Sequence, residues 1–131
     1  QVSIAIKNPD TDTRDRANAP DINDSSIALD IEYMGRHVYL TGDAGYPVIC
    51  SRFDENRRSG NVLKVSHHGS RTGTNQEVFD KLKPAYCYIS AGNHKRFNHP
   101  HDETLEIIKR GNAFLTISKK IRRTVCYQIN S

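Results

Sequence analysis

The chain has 131 residues, of which 36% are hydrophobic and 26% charged, with a formal net charge of +4. This length suffices for one domain with a buried core. No apolar stretch approaches the roughly 20 residues that a membrane span needs. The positive charge favours anionic partners such as nucleic acid, although a small domain is often slightly basic without binding any.

The three cysteines, Cys50, Cys87 and Cys126, are far apart, and none lies in a CxxC pair. A disulfide framework or a cysteine zinc site is therefore not expected. Cys87 and Cys126 fall inside apolar, strand-like runs, which predicts that both are core residues. Unpaired cysteines suit a reducing compartment such as the cytoplasm.

The chain opens within a run that alternates like a strand, Val2 to Lys7, with no basic or apolar leader before it. This start indicates a processed or excised piece of something longer. Residues 8–24 are rich in Asp, Asn, Thr and Pro and predict a long exposed loop. The spacing of their carboxylates is not that of a calcium-binding EF-hand loop.

The next segment predicts a hairpin. Apolar side chains alternate at Ile27, Leu29, Ile31 and Tyr33, which is the period of a half-buried strand. A tight turn is expected at Gly35 and Arg36, followed by a returning strand over residues 37–41. His37 is predicted to be a surface residue of that strand.

Helices and strands then alternate. Helices are predicted over residues 46–56, 76–82 and 103–109, with Asn75 and Asp102 as N-caps and Gly111 after the last helix. Strands are predicted over residues 61–66, 85–91, 113–118 and 124–129, with a basic turn at 119–123. The pattern predicts a single α/β domain over residues 1–131 that begins with an antiparallel hairpin.

Polar side chains follow three of these strands. Asp43 follows the first, His67 and His68 the second, and Asn98, His99 and His101 lie in the loop after the third. Sites in α/β sheets gather beyond strand ends. Imidazole and carboxylate without thiolate suit zinc, manganese or iron, and a bound ion can turn water into a nucleophile near neutral pH. These residues make only part of such a site.

Each feature also has a structural interpretation. Asp43 follows a glycine and is typical of a turn. Two adjacent histidines on an extended segment point to opposite sides, so at most one of His67 and His68 is expected to face a site. Ser70 near His68 could suggest a nucleophile and its base, but no GxSxG elbow is present. Together, the three strand ends favour a functional site over these alternatives.

Several segments, in this order, resemble a known family. They are Asn23 to Leu29, the LTGDA of residues 40–44, the LKVSHHGS of residues 63–70, the ISAG of residues 89–92 and the NHPH of residues 98–101. The series resembles the C-terminal half of the metallo-β-lactamase fold, from about Ser25 to Ile129. The most similar branch contains the C-terminal domain of competence proteins that take up DNA, together with stand-alone hydrolases.

The resemblance implies roles for individual residues. Asp43 would be a metal ligand able to bridge two ions, and His67 or His68 would be the last protein ligand of the second ion. His67 is favoured because it directly ends the strand. His99 would lie over the metals as the catalytic residue that contacts substrate or assists the leaving group. The remaining residues would support the ligands or contact substrate: His68, Ser70, Asn98 and His101.

The sequence departs from that family in one respect. The main metal motif, HxHxDH or its variant HxDxDH, belongs to the N-terminal half of the fold and is absent here. The chain is therefore expected to form half of a four-layer αββα sandwich. The missing N-terminal half would come from the same parent chain or a separate chain, unless a homodimer covers the open sheet.

The resemblance implies a metal-dependent hydrolase with one or two divalent ions, zinc or manganese. Phosphodiester hydrolysis of DNA or nucleotides by a metal-bound hydroxide is the expected reaction, with Lys95, Arg96 and the basic turn at 119–123 holding phosphates. Hydrolysis of another ester, a thioester or a lactam is an alternative. A non-catalytic binding or assembly domain is another. A competence-type membrane protein would place the domain on the extracytoplasmic side.

Overall fold

A computed structural model describes residues 1–7, 22–56, 58–93 and 95–120. The predicted strand at 124–129, Cys126, most of the predicted loop at 8–24 and the basic residues at 121–123 lie outside the described residues. Ile22–Ser25, at the end of that loop, form a 3₁₀ turn. None of the described helices is long and apolar enough to cross a membrane.

The architecture is one six-stranded sheet with three helices, which confirms the α/β prediction. The strands are β1 (Val2–Ile6), β2 (Leu29–Tyr33), β3 (Arg36–Leu40), β4 (Asn61–Lys64), β5 (Pro84–Ile89) and β6 (Phe114–Ile117). The helices are α1 (Tyr46–Arg52), α2 (Gln76–Leu82) and α3 (Asp102–Arg110). Spatial order follows chain order; β1 to β3 pair antiparallel and β3 to β6 pair parallel.

The hairpin turn lies one residue earlier than predicted. Met34 and Gly35 occupy it, with φ of 52° and 74°, and Arg36 is already in β3. Two consecutive left-handed residues match the right-handed twist of the paired strands. Glycine tolerates this conformation because it has no Cβ, so the glycine takes the second turn position.

The ends of α2 agree with the sequence prediction, and those of α1 and α3 agree less closely. The Asn75 side chain accepts a hydrogen bond from the Val78 N–H at 3.0 Å, which confirms the predicted cap of α2. Helix α1 ends at Arg52, four residues short of the prediction. Asp102 is the first residue of α3, and His101 occupies the cap position without a side-chain cap hydrogen bond. Gly111 ends α3 as predicted.

The hydrophobic core lies between the sheet and the three helices. Its largest members from the sheet are Tyr39, Leu63 and Ile89, which pack with residues of all three helices: Ile49, Val78, Phe79, Leu82 and Ile108. Cys87 is fully buried there, as predicted, and burial raises the pKa of its thiol to about 12. Cys50 is partly buried at the edge of this core.

The other face of the sheet is mostly apolar and open in the described part of the chain, with Arg36, Lys64 and Thr116 as its polar members. Residues paired across the strands share this face: Val2, Ile4, Ile6, Leu29, Ile31, Tyr33, Val38, Leu40, Tyr86 and Phe114. Ile4 and Phe114 are 62% and 71% exposed. Exposed apolar area of this extent on one face is typical of a surface that another protein element covers.

Candidate functional site

Three loops meet at the carboxyl ends of β3, β4 and β5. Asp43 lies after β3, His67 and His68 after β4, and His99 after β5. Because these strands are parallel neighbours, their carboxyl ends lie at the same edge of the sheet. The structure therefore brings together the residues that the sequence placed at three successive strand ends.

His67 and His68 lie on the same side of the chain, contrary to the expectation for an extended segment. Both residues have left-handed backbones, with φ of 47° and 55°. The segment is thus a tight turn rather than a continuation of β4, and the alternation of side chains along a strand does not apply. The two ring centroids are 6.1 Å apart, and both rings line one pocket.

His68 is oriented by a backbone carbonyl. Its Nδ1 donates a hydrogen bond to the Ser90 carbonyl oxygen at 2.7 Å. A proton on Nδ1 leaves the lone pair of a neutral ring on Nε2, which lies 3.8 Å from Asp43 Oδ1. The side chains of His68 and Asp43 are 47% and 38% exposed, so both atoms are accessible from solvent.

His99 completes a cluster of imidazole rings. Its ring centroid is 5.5 Å from that of His67 and 6.2 Å from that of His68. Burial lowers the pKa of His99, and the neighbouring His101, His67 and His68 lower it further, against an opposing effect of Asp43. His99 is therefore favoured in its neutral form near pH 7.

A pocket opens between these loops. It has a volume of about 330 Å³ and is lined by His67, His68, Ala91, Gly92, Phe97 and His99. A pocket of this size is at the small end of the range for small-molecule sites, about 300–1,000 Å³. One wall is made of imidazole rings and the other is apolar.

The other predicted site residues take different positions. His101 packs its ring at 4.8 Å from His99, but both of its nitrogens bind backbone: Nδ1 accepts from the Arg71 N–H and Nε2 donates to the Phe97 carbonyl. Ser70 is buried, and its hydroxyl pairs with the Thr72 hydroxyl at 2.9 Å. Asn98 is exposed, with a left-handed φ of 50°. His101 and Ser70 thus hold the loops, and none of the three residues lines the pocket.

Residues before the hairpin brace the loop that carries Asp43. The Asp43 N–H donates to the Ser26 hydroxyl at 3.1 Å, and the Gly45 N–H donates to the Asp24 carboxylate at 3.0 Å. Sequence reasoning placed Asp24 in an exposed loop and gave it no role. The one sequence feature that could have indicated this role is that Asn23 to Ser26 belong to a segment shared with the family described above.

The loops after β3 and β4 are also tied to each other. The His67 N–H donates to the Gly42 carbonyl at 3.1 Å, and the Ser66 hydroxyl donates to the Ala44 carbonyl. Thr41 adds a hydrogen bond from its hydroxyl to the Lys64 carbonyl at 2.8 Å. These hydrogen bonds between the two loops fix the position of Asp43 relative to the two histidines.

Lys64 is a charged neighbour that sequence reasoning missed. It occupies the last position of β4, and its ammonium group lies 3.4 Å from the Gly42 carbonyl. Burial lowers its pKa, while the Asp43 carboxylate raises it. Lys64 thus places a positive charge beside Asp43, and nothing in the strand pattern distinguishes it from a solvent-exposed lysine.

The ligand set is partial. Among residues 1–7, 22–56, 58–93 and 95–120, no group of three or more His, Cys, Asp or Glu side chains is arranged to hold a metal ion. Two of the candidate donors, Asp43 Oδ1 and His68 Nε2, lie 3.8 Å apart. A complete metal centre built on them needs donors from outside the described residues or a rearrangement of the histidine cluster.

No protein-family model matches the chain. Among curated proteins, the chain is similar to ComE operon protein 3 of Bacillus subtilis, at 37% identity over 91 residues, which cover 67% of this chain and 12% of that protein. It is also similar to Recombination protein 2 of Haemophilus influenzae, at 30% identity over 88 residues, which cover 67% of this chain and 11% of that protein. The matched segment thus spans little more than a tenth of either relative. These similarities support a relationship with competence proteins, the branch that the sequence motifs indicated.

Proposed function

We propose that the chain supplies one side of a metal-dependent hydrolase site of the metallo-β-lactamase type, which acts on phosphodiesters of DNA or nucleotides. The observation that carries this proposal is the open pair of Asp43 Oδ1 and His68 Nε2, 3.8 Å apart, with His68 held by the Ser90 carbonyl. Histidine ligands of metals commonly donate their other ring N–H to a backbone carbonyl in this way.

The donors fit a zinc or manganese ion. Each protein ligand of zinc lies about 2.1 Å from the ion, so two ligands of one ion are at most about 4.2 Å apart. The separation of Asp43 Oδ1 and His68 Nε2 is within this limit. One or two such ions, held by Asp43 with His68 or His67, would polarise the phosphoryl group and supply an activated water.

His99 would serve the substrate rather than the metal. Its ring lines the same pocket as His67 and His68, and its lowered pKa favours a neutral imidazole. A neutral ring can accept a proton at one nitrogen and return it to a leaving oxygen. Lys119 holds this residue in place, because its ammonium group donates to the His99 carbonyl at 2.9 Å.

The remaining half of the site would come from an element that covers the open sheet face. The exposed side chains of Ile4, Ile6 and Phe114 support such a partner, because half of a two-sheet sandwich presents this kind of surface. The partner would be an N-terminal half of the fold, on the same parent chain or a separate one, or a second copy of this chain.

A phosphodiester is favoured over other esters by the surrounding positive charge. Arg71, Arg96 and Lys119 belong to the loops around the histidine cluster, and Lys64 lies beneath it. The relationship with competence proteins supports a nucleic-acid substrate. A purely structural or binding role is the competing proposal, supported by the partial ligand set in the described residues.

The deciding experiment is a zinc and manganese titration of the purified chain, with metal content per chain read by elemental mass spectrometry on the size-exclusion peak. We expect bound metal that Asp43→Ala removes and that Asp54→Ala, which removes an exposed carboxylate outside the site, leaves in place. Equal uptake by both variants would contradict the proposed ligand. Hydrolysis of a DNA oligonucleotide but not of a simple carboxylic ester, with the covering half restored, would establish the substrate class.

A further inference from the structure

We propose that Phe97 and Arg96 form a stacking platform for an unpaired nucleobase, which would make single-stranded nucleic acid the preferred substrate of the proposed phosphodiesterase site. Phe97 is 53% exposed at the mouth of the pocket. The inference deepens the proposed function and rests on it for the identity of the reacting phosphate.

The first argument is the arrangement of rings. Phe97 is nearly parallel to His99, with an interplanar angle of 22° and a centroid distance of 5.9 Å. His99 is in turn nearly parallel to His68, at 20° and 6.2 Å. The three rings form a series that runs from the proposed metal ligand to an exposed aromatic surface. A base that extends this series would stack on Phe97, at the end of the series away from His68.

The second argument is the charge at the same position. The Arg96 guanidinium carbon lies 5.3 Å from the centroid of the Phe97 ring. An aromatic ring beside a cation is the combination with which proteins bind single-stranded nucleic acid, since the ring stacks on a base and the cation attracts phosphate. Phe97 and Arg96 are adjacent in the chain, so one loop provides both.

The third argument is the shape of the pocket. Ala91 and Gly92 form its apolar wall, and a Cβ built at Gly92 meets no atom within 4 Å. At about 330 Å³ the pocket has room for a single small ligand, not for a duplex. A base within a duplex is already stacked and paired, so it reaches such a pocket only after it is extruded.

His101 keeps the platform in position. Its Nε2 donates to the Phe97 carbonyl at 3.2 Å, while its Nδ1 accepts from the Arg71 N–H at 3.1 Å. Both ring nitrogens are therefore used to fix the backbone of the loop. His101 is a positioning residue for Phe97.

The test uses the full 131-residue chain and a short oligonucleotide that carries one 2-aminopurine, titrated in EDTA so that no metal contributes. The fluorescence of 2-aminopurine is quenched when the base stacks. We expect quenching by the single strand, and a loss of affinity of about 5- to 150-fold in Phe97→Ala, the range for one stacked base. Phe97→Trp should retain binding, and Gly92→Val should weaken it by filling the pocket.

Matched controls separate stacking from general effects. Phe114→Ala removes a phenylalanine of the open sheet face that is more exposed than Phe97, and Arg110→Ala removes an exposed arginine of α3. Both should bind the oligonucleotide as the unchanged chain does. Equal losses in Phe97→Ala and Phe114→Ala, or equal binding of a blunt duplex and a single strand, would overturn the platform.

Two further measurements identify the type of nucleic acid and separate the platform from the metal site. An RNA oligonucleotide of the same sequence shows whether DNA or RNA is the source of the base; tighter binding of either supports the platform. Zinc uptake by the unchanged chain decides the proposed metal site separately. Zinc uptake without quenching would overturn the platform and leave the proposed function standing, whereas quenching without zinc uptake would support the platform and show that this chain alone does not hold the metal.

Discussion

Two histidine–aspartate pairs in this chain differ in the distance between their side chains and in their exposure to solvent. In the antiparallel part of the sheet, His37 Nδ1 donates to Asp30 Oδ1 at 2.6 Å, and the two side chains are only 21% and 15% exposed. At the carboxyl ends of the parallel strands, His68 Nε2 and Asp43 Oδ1 remain 3.8 Å apart and more exposed. The first pair is closed by its own hydrogen bond and the second is open.

The difference comes from what else each histidine contacts. His68 Nδ1 donates a hydrogen bond to the Ser90 carbonyl, so in a neutral ring the Nε2 lone pair faces Asp43. His37 instead stacks on Tyr39, with ring centroids 5.6 Å apart, and its Nδ1 donates a hydrogen bond directly to Asp30. In the neutral form of the ring, His68 Nε2 and the Asp43 carboxylate are two acceptors that can share a cation. His37, predicted to be a surface residue, is only partly exposed, because Asp30 and Tyr39 contact its ring.

The largest expected effect is on metal affinity at the open pair. Asp43→Ala should reduce zinc affinity by more than the roughly 10- to 100-fold that loss of a supporting residue costs. His99→Ala should reduce it less, because His99 is assigned to substrate. Isothermal titration with zinc measures both. Equal losses in the two variants would remove the distinction between ligand and substrate residue.

The second effect decides between the two adjacent histidines. The sequence favoured His67 as the ligand, whereas the contacts of His68 with Asp43 and Ser90 favour His68. We expect His68→Ala to reduce zinc affinity by at least about tenfold more than His67→Ala. Cobalt substituted for zinc gives an absorption spectrum that reports the loss of a nitrogen donor. The reverse order would restore His67 as the ligand.

The closed pair should matter for stability and not for metal. His37→Ala leaves the carboxylate of Asp30 without its partner in a site that is mostly buried, which should cost about 1–3 kcal/mol of unfolding free energy. Urea denaturation measures this loss. Zinc affinity and activity should stay unchanged, and a variant that folds but no longer binds zinc would show that a ligand has been overlooked.

Tyr39, which stacks on His37 of the closed pair, should make the stability of the fold depend on pH. Burial raises the pKa of Tyr39 from 10.0 to about 12, so between these pH values the unfolded chain releases a proton that the folded chain keeps. The stability contributed by the neutral phenol is complete below pH 10 and falls as the pH rises toward 12. We expect a fall of roughly 1–2 kcal/mol.

Tyr39→Phe tests this expectation. The variant loses the hydrogen bond from the Asn56 amide to the phenol oxygen, 2.7 Å in the structure, and with it some stability at neutral pH. The unfolding free energy of the variant should nevertheless fall less steeply between pH 10 and 12 than that of the unchanged chain. Cys87 still contributes to the fall in both proteins. Urea unfolding at a series of pH values measures the slopes, and identical slopes would show that Tyr39 does not control them.

The smallest expected effect is on DNA binding by the exposed lysines Lys119 and Lys120. Lys119→Glu combined with Lys120→Glu should weaken DNA binding several-fold at low salt and hardly at all at high salt, because exposed charges act through a screened field. Fluorescence anisotropy over a salt series measures this dependence. Binding that does not change at low salt would exclude these two lysines from the DNA-binding surface.

Much of the candidate site could be predicted from local sequence. The residues after β3, β4 and β5 were expected at one sheet edge, and Asp43, His67, His68 and His99 do meet there. Local patterns suffice for this because strand period, caps and glycines depend on near neighbours. The Asn75 cap and the end of α3 at Gly111 were predicted correctly for the same reason.

The sequence by itself determined the alternation of helices and strands, the buried position of Cys87 and the set of residues that gather at the site. Only the tertiary structure decided which histidine faces Asp43, and it also decided that Lys64, Asp24 and Ser26 support that residue. Left-handed backbones at His67 and His68 are unfavourable locally and persist because long-range hydrogen bonds hold the turn. Contacts between residues distant in the chain leave no local pattern, so the choice between an open and a closed pair was made by the fold.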